Sequence, residues 1–166
     1  GNLFNKYLNF DHEEFFVINK PAGLAVQGGS KVKYSVDGGL ALLNRGAKNE
    51  HEKLRIVHRI DKETSGLLLI AKGRLAATKI TGAFRDCKIK KRYFALLLGQ
   101  IEQKSGTINK PLLDKQGVMR EAITDFKVIK QFEKYALTSF EPITGRTHQL
   151  RLHSAELGCV ILGDEK

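Results

Sequence analysis

Residues 122–140, with the sequence AITDFKVIKQFEKYALTSF, contain two consecutive segments that are typical of β-strands. In the first segment, 122–132, alternate positions form two sets: Ile123, Asp125, Lys127 and Ile129 in one, and Thr124, Phe126, Val128 and Lys130 in the other. The second segment, Tyr135 to Phe140, follows after only two residues. Strands that follow one another without an intervening helix favour an antiparallel sheet.

The rest of the chain contains further strands and three helical segments. Strands are predicted at 15–20, 66–72 and 92–99, and a hairpin-like region runs from Thr107 to about Gly117. Helices are predicted from Ser35 or Asp37 to Leu43, from Leu75 to Phe84 and from Thr147 to Leu157. Six or seven strands, partly in runs, predict an α+β fold with a mixed, mostly antiparallel sheet core and flanking helices.

The composition favours a globular protein with a polyanionic partner. The chain has 166 residues, 42% of them hydrophobic, and a formal net charge of +10. Such a charge favours nucleic acid as the partner over an anionic membrane surface. The longest apolar runs have five residues, whereas a membrane-spanning helix needs about 20. The two cysteines lack metal-ligand spacing, so we expect no metal site, and they suit a reducing cytoplasm.

Residues 58–66, HRIDKETSG, form the most informative motif. A histidine, an arginine and an aspartate stand beside a Thr-Ser-Gly turn, directly before an apolar strand, where scaffolds often place catalytic groups. The alternative is a turn in which Asp61 accepts hydrogen bonds from backbone amides and Arg59 forms a surface ion pair. The residue types alone leave both interpretations open.

Two basic stretches add to this motif. If residues from Thr147 onward are helical, Thr147, Leu150 and Arg151 share one face. A buried Arg151 would need a carboxylate partner, for which Asp61 is a candidate; the alternative is a basic helix with its charges in solvent. In residues 88–94, KIKKRYF, four cations precede two aromatic residues, a pattern that suits phosphate contacts and base stacking but also an ordinary half-buried strand.

Together these stretches resemble the RluA-type family of pseudouridine synthases. The match covers HRIDKETSG at 58–66, KRYFA at 91–95 and TGRTHQLRLH at 144–153. It also includes NKPAG at 19–23 and GCVILGD at 158–164, in the family's order. The segment VQGGS at 26–30 is most similar to the RluC branch, whose members modify large-subunit ribosomal RNA.

The resemblance implies conversion of uridine to pseudouridine in RNA, without a cofactor or metal. It implies Asp61 as the essential carboxylate, as nucleophile or as base, with Arg151 as its partner and Tyr93 stacking on the target base. Arg59 would enter the RNA helix where the target nucleotide leaves. Further RNA contacts are expected from His58, Lys91, Arg146 and His148, and an apolar wall around the base from Ile60 and Leu150.

The resemblance also implies that residues 1–166 are one partial catalytic domain. A small RNA-binding domain would precede it and further core strands would follow it. We expect a monomer whose partner is ribosomal RNA, with transfer RNA as the other possibility. One alternative function is an RNA-binding assembly factor without catalytic activity. The other is a metal-dependent nuclease, which would need clustered carboxylates; Asp61 and Glu63 are the candidate pair.

Overall fold

A computed structural model describes residues 3–29 and 32–164 of the chain. The chain divides into two compact units, residues 1–88 and 89–166. The described residues contain four α-helices, one 3-10 turn and eleven strands, several of them very short. Every pair of neighbouring strands in the sheets is antiparallel, so the predicted α+β fold is confirmed.

The first unit is built on a four-stranded sheet in the order β1-β2-β4-β3. Its elements are listed here in chain order: α1 (Leu3–Tyr7), β1 (Leu8–Asp11), β2 (Phe15–Lys20), α2 (Val36–Leu43), a 3-10 turn (Asn44–Gly46), β3 (Leu54–Ile56), β4 (Gly66–Lys72) and α3 (Arg74–Arg85). The segment 58–66 connects β3 to β4, the two strands on one side of this sheet.

The apolar run of β4 is packed from Leu68 to Ala71, while Leu67 is exposed. Leu68, Ile70 and Ala71 are fully buried, while Leu69 packs with the apolar side of α3. Ala76 and Phe84 of α3 belong to the same cluster. The predictions of a buried strand at 66–72 and of a helix at 75–84 are therefore confirmed.

The helix α2 begins where a capping residue was predicted. Ser35 is the N-cap in extended conformation, and its hydroxyl accepts a hydrogen bond from the Gly38 N–H. The carboxylate of Asp37 accepts from the N–H groups of Gly28 and Gly38. This carboxylate therefore ties the loop before α2 to the first turn of the helix.

The second unit is a five-stranded sheet, in the order β11-β5-β10-β9-β6, with one helix. Its elements in chain order are β5 (Tyr93–Leu98), β6 (Ser105–Asn109), β7 (Leu112–Leu113), β8 (Met119–Arg120), β9 (Ile123–Gln131), β10 (Tyr135–Pro142), α4 (Gln149–Glu156) and β11 (Val160–Ile161). The predicted hairpin-like region corresponds to β6 and to the pair of β7 with β8.

The core of the second unit lies on one face of this sheet. Leu97 and Phe140 are fully buried, and Phe126 and Val128 are buried beside them. The buried face of β9 therefore carries Phe126 and Val128. Ile129, on the opposite face, is half exposed. The strand pair predicted in residues 122–140 is confirmed as β9 and β10.

The prediction of a helix from Thr147 was wrong at its start. His148 has a φ of +54°, in the left-handed region, so the helix begins only at Gln149. Thr147 therefore does not share a helical face with Leu150 and Arg151. The strands β1, β3 and β11 were missed because two to four residues carry too little periodicity to be recognised.

A buried lysine holds the first unit together next to the segment 58–66. Lys20 is fully buried, and its ammonium donates to the carbonyl oxygens of Pro21 (2.9 Å), Leu24 (2.7 Å) and Lys62 (3.1 Å). An ammonium has three N–H groups, so all of its donors are used. Burial lowers the pKa of Lys20, and the nearby charges of Glu63 and Asp61 partly offset that effect.

Replacing this amine will destabilise the first unit. We expect Lys20→Met to lower the free energy of unfolding by about 3 kcal/mol, because buried carbonyl oxygens lose a charged donor. Urea unfolding followed by circular dichroism measures the effect.

The matched control is Lys79→Met. Lys79 is 70% exposed and pairs with Glu14, so its loss costs about 0–1 kcal/mol. Equal unfolding midpoints for the two variants would show that the Lys20 ammonium is not a structural anchor.

Candidate functional site

The segment 58–66 is a loop whose backbone is held at several points. The carbonyl of Lys62 accepts from the N–H of Gly23 at 2.9 Å as well as from Lys20. The N–H of Thr64 donates to the carbonyl of Asp61 at 3.1 Å, which closes a turn. Asp61 is half-buried in this turn, and its backbone position is fixed from both sides.

His58 is fixed at the first position of this loop. Its Nε2 accepts a hydrogen bond from the Leu69 N–H at 2.8 Å, and its ring stacks on Phe84 with centroids 4.3 Å apart. Acceptance at Nε2 places the proton of the neutral ring on Nδ1. These contacts indicate that His58 positions the loop on β4 and α3, whereas its contact with RNA stays a prediction.

The neighbouring side chains of Arg59 and Ile60 differ in burial. Ile60 is buried, whereas Arg59 is exposed and donates from a terminal guanidinium nitrogen to Gln27 Oε1 at 3.1 Å. Gln27 belongs to the 26–30 segment, of which Ser30 lies outside the described residues. The structure therefore joins two motifs that are 32 residues apart in the chain.

The 26–29 loop is held by Asp37. The N–H of Gly28 donates to both carboxylate oxygens, at 3.0 and 3.1 Å. The hydroxyl of Ser35 and then the N–H groups of Gly28 and Gly38 lower the pKa of Asp37. An ionised Asp37 therefore keeps in place the loop that carries Gln27, the partner of Arg59.

In the second unit, Tyr93 and Leu150 lie against the apolar core. Tyr93 is the first residue of β5, opposite Phe140 of β10, and it is half-buried. Leu150, in the first turn of α4, packs against the same core cluster. Tyr93, predicted to stack on the base, and Leu150, predicted to form part of the apolar wall, thus belong to one packed region of this unit.

The segment 144–149 is organised by the Gln149 side chain. Its amide oxygen accepts from the Thr144 hydroxyl (2.8 Å) and the Arg146 N–H (2.9 Å). Its amide nitrogen donates to the Ile123 carbonyl (3.0 Å) and the Thr124 hydroxyl (2.9 Å). A buried amide with these four partners holds the loop rigidly on β9.

The side chains of Lys91, Arg146 and His148, which are predicted to contact RNA, differ in their exposure and hydrogen bonds. The Lys91 ammonium donates to the Thr144 carbonyl at 3.2 Å, and the guanidinium of the exposed Arg146 donates to the Glu121 carbonyl at 2.9 Å. His148 is exposed at its left-handed backbone position. Lys91 and Arg146 thus each bind a backbone carbonyl, of Thr144 and of Glu121. The phosphate contacts of Lys91, Arg146 and His148 stay predictions.

Arg151 is half-buried on α4 and forms an ion pair with Asp164. Both side chains are about four-fifths buried, so this pair is shielded from solvent more than a surface ion pair. Asp164 ends the segment 158–164 quoted above, and its acceptance from Arg151 explains why an acid stands there. The pairing of Arg151 with Asp61 stays a prediction.

Several of these positioning residues were not recognised in the sequence. Lys20 and Gln149 were inside quoted motifs, but their hydrogen-bond partners are up to 42 residues away, so no local pattern showed their roles. His153, the last residue of the motif at 144–153, is a further residue of this kind. It is fully buried, between the Thr124 hydroxyl and the Lys110 carbonyl.

Within residues 3–29 and 32–164, no three His, Cys, Asp or Glu residues are placed to hold a metal ion together. Over the same ranges, no helix is long and apolar enough to cross a membrane. The nuclease alternative therefore gains no clustered carboxylates from the part of the chain that the structure describes.

Comparisons with known proteins identify what the chain is similar to. Proteins named ribosomal large subunit pseudouridine synthase C are 43% identical over 175 residues in Rickettsia bellii and 38% identical over 165 residues in Vibrio parahaemolyticus. These matches cover 97% and 95% of this chain but 56% and 51% of the relatives. The chain thus spans about half the length of the curated relatives it matches.

Solved structures agree in fold. The human RNA pseudouridylate synthase domain containing 4 matches with a TM-score of 0.85 and 29% identity, over 98% of this chain and 69% of the other. The human domain containing 1 matches with a TM-score of 0.76 and 25% identity, over 95% and 67%. These matches and the relatives' names confirm the resemblance to RluA-type synthases and its RluC branch.

The family described as RNA pseudouridylate synthase matches residues 14–156, which is most of the chain. The matched range contains the motifs at 19–23, 58–66, 91–95 and 144–153, in that order. The chain therefore belongs to the RNA pseudouridylate synthase family.

Proposed function

We propose that the protein isomerises specific uridines of large-subunit ribosomal RNA to pseudouridine, with Asp61 as the essential carboxylate. The observation that carries this proposal is the fixed conformation of the loop 58–66. Hydrogen bonds with Lys20, Gly23 and His58 hold this loop in place. A carboxylate on a rigid loop is positioned before the substrate arrives, which lowers the cost of reaching the reactive geometry.

The reaction is an isomerisation, so its atoms balance without an added reactant. The bond between ribose and uracil N1 breaks, the base turns, and a carbon–carbon bond forms at uracil C5. The C5 proton is lost and N1 gains a proton. An ionised Asp61 can serve this sequence either by attack on the sugar or by abstraction of a ribose proton.

The roles of the other residues in this proposal follow from the resemblance to the family. Tyr93 stacks on the target base, and Ile60 and Leu150 form the apolar wall around it. Arg151 stabilises the ionised carboxylate of Asp61, for which the guanidinium group is suited.

Recognition of the RNA uses the basic residues of both units. Arg59 replaces the target nucleotide in the RNA helix, since its planar head stacks on bases and its side chain is exposed. Lys91, Arg146 and His148 contact backbone phosphates. The net charge of +10 supports a polyanionic substrate, and the relatives named for the ribosomal large subunit favour ribosomal RNA over transfer RNA.

Asp61→Asn will abolish pseudouridine formation while RNA binding is retained, because the amide keeps the shape of the side chain but cannot act as an anion. Tritium release from uridine labelled at carbon 5 measures the reaction, and filter binding measures the complex.

Glu63→Gln is the matched control, two residues further along the same turn. Glu63 is 72% exposed, and the variant is expected to keep most of the activity. Turnover by Asp61→Asn would contradict the assignment. RNA cleavage that a chelator abolishes would instead support the nuclease alternative.

Arg59→Ala will reduce activity mainly on structured RNA. Extracting a nucleotide from a helix costs a few kcal/mol, and an unstructured oligonucleotide does not impose that cost. Single-turnover rates on a hairpin and on an unstructured strand with the same target uridine give the comparison.

Arg85→Ala serves as the control for charge, since Arg85 is 77% exposed and pairs with the adjacent Asp86. If Arg59→Ala lowers both rates by the same factor, the side chain does not replace the extracted nucleotide.

A further inference from the structure

A second feature of the first unit is a groove beside the loop 58–66. It has a volume of about 470 Å³ and lies between the turn at residues 22–24, residues 32–34 and Lys62. The roles proposed for Asp61 and the other motif residues do not use this groove.

The groove presents an exposed aromatic ring. The side chain of Tyr34 is 71% exposed, and the Lys33 ammonium lies 5.4 Å from the centroid of its ring. A single exposed aromatic residue is common on protein surfaces. An exposed ring beside cations and a concave surface is instead the arrangement with which proteins bind unstacked bases.

The charges around the ring suit an anionic ligand. Lys33 and Lys62 both line the groove. Lys62 is 60% exposed, and its partner Glu63, at 3.7 Å, is 72% exposed, so water screens this ion pair. A phosphate can therefore replace Glu63 as the partner of Lys62 at little cost.

The groove and the loop of Asp61 share the same fixed backbone. Lys62 follows Asp61 directly, and its carbonyl is bound by the Gly23 N–H and by the Lys20 ammonium. Gly23 lies in the turn that forms one side of the groove. A nucleotide in the groove would therefore be held at a fixed distance from the Asp61 backbone.

We propose that this groove binds one unstacked nucleotide of the substrate RNA, next to the target uridine. Its base stacks on Tyr34, and its phosphates contact Lys33 and Lys62. This proposal rests on the proposed function for the identity of the substrate. It adds a binding subsite in which the stacking residue tolerates any base, since every base has a π-face.

A fluorescence experiment tests the stacking directly. The chain contains no tryptophan, so Tyr34→Trp introduces a single reporter at the groove. We expect a single-stranded oligoribonucleotide to quench its fluorescence with saturation, and an abasic strand of the same length to quench it much less. Phe10→Trp is the control, because Phe10 is 51% exposed on β1 and does not line the groove.

Binding measurements give the size of the effect. Tyr34→Ala should raise the Kd for substrate RNA by about fivefold or more, and raise KM with little change in kcat, while Tyr34→Phe retains the native values. Replacing Lys33 and Lys62 by alanine should lower the salt dependence of binding by about one unit of slope each.

The outcomes separate this proposal from the proposed function. Absence of quenching in Tyr34→Trp, or equal quenching in Phe10→Trp, would overturn the groove proposal even if pseudouridine is formed. A native Kd for Tyr34→Ala would overturn it as well. Saturable quenching with no pseudouridine formation would support the groove and contradict the proposed function.

Discussion

The buried Lys20 ammonium, bound to three backbone carbonyls, is the interaction on which the loop of Asp61 and the adjacent turn depend. Removing a charge from water is costly, and a buried charge persists only where its hydrogen bonds are complete. Here each N–H of the ammonium has a carbonyl partner, from Pro21, Leu24 and Lys62. The buried charge therefore joins the strand β2, the turn at 22–24 and the loop of Asp61 at one point.

The second unit achieves the same kind of rigidity with neutral groups. The amide of Gln149 has four partners, and His153 is buried between Thr124 and Lys110. A buried polar group that is fully hydrogen-bonded favours one arrangement of the backbone over its alternatives. Each unit thus holds a loop with candidate functional residues on a sheet through long-range polar contacts.

Local patterns in the sequence were sufficient for the larger elements. The apolar run of β4, the helix start at Ser35 or Asp37 and the two strands in residues 122–140 are all short-range signals. The structure confirms them, with Ser35 as the capping residue. The start of α4 was mispredicted because His148 adopts a left-handed backbone, which a non-glycine residue rarely does and which no local sequence signal indicated.

The positioning residues of the candidate site were harder to predict. The motif 58–66 identified the loop and its candidate acid, but the hydrogen bond from Leu69 to His58 and that from Arg59 to Gln27 depend on the folded chain. The pairing of Arg59 with Gln27 spans 32 residues, and no periodicity encodes it. The sequence therefore indicates candidate residues for the chemistry, whereas the contacts that hold them become visible only in the folded chain.

The role of Asp61 as the essential carboxylate is tested most directly by pseudouridine mapping of ribosomal and transfer RNA from cells that carry either the native gene or the Asp61→Asn allele. We expect specific pseudouridines of large-subunit ribosomal RNA to disappear in the mutant cells, while the protein is still present at its native level. An unchanged pseudouridine map in those cells would contradict it.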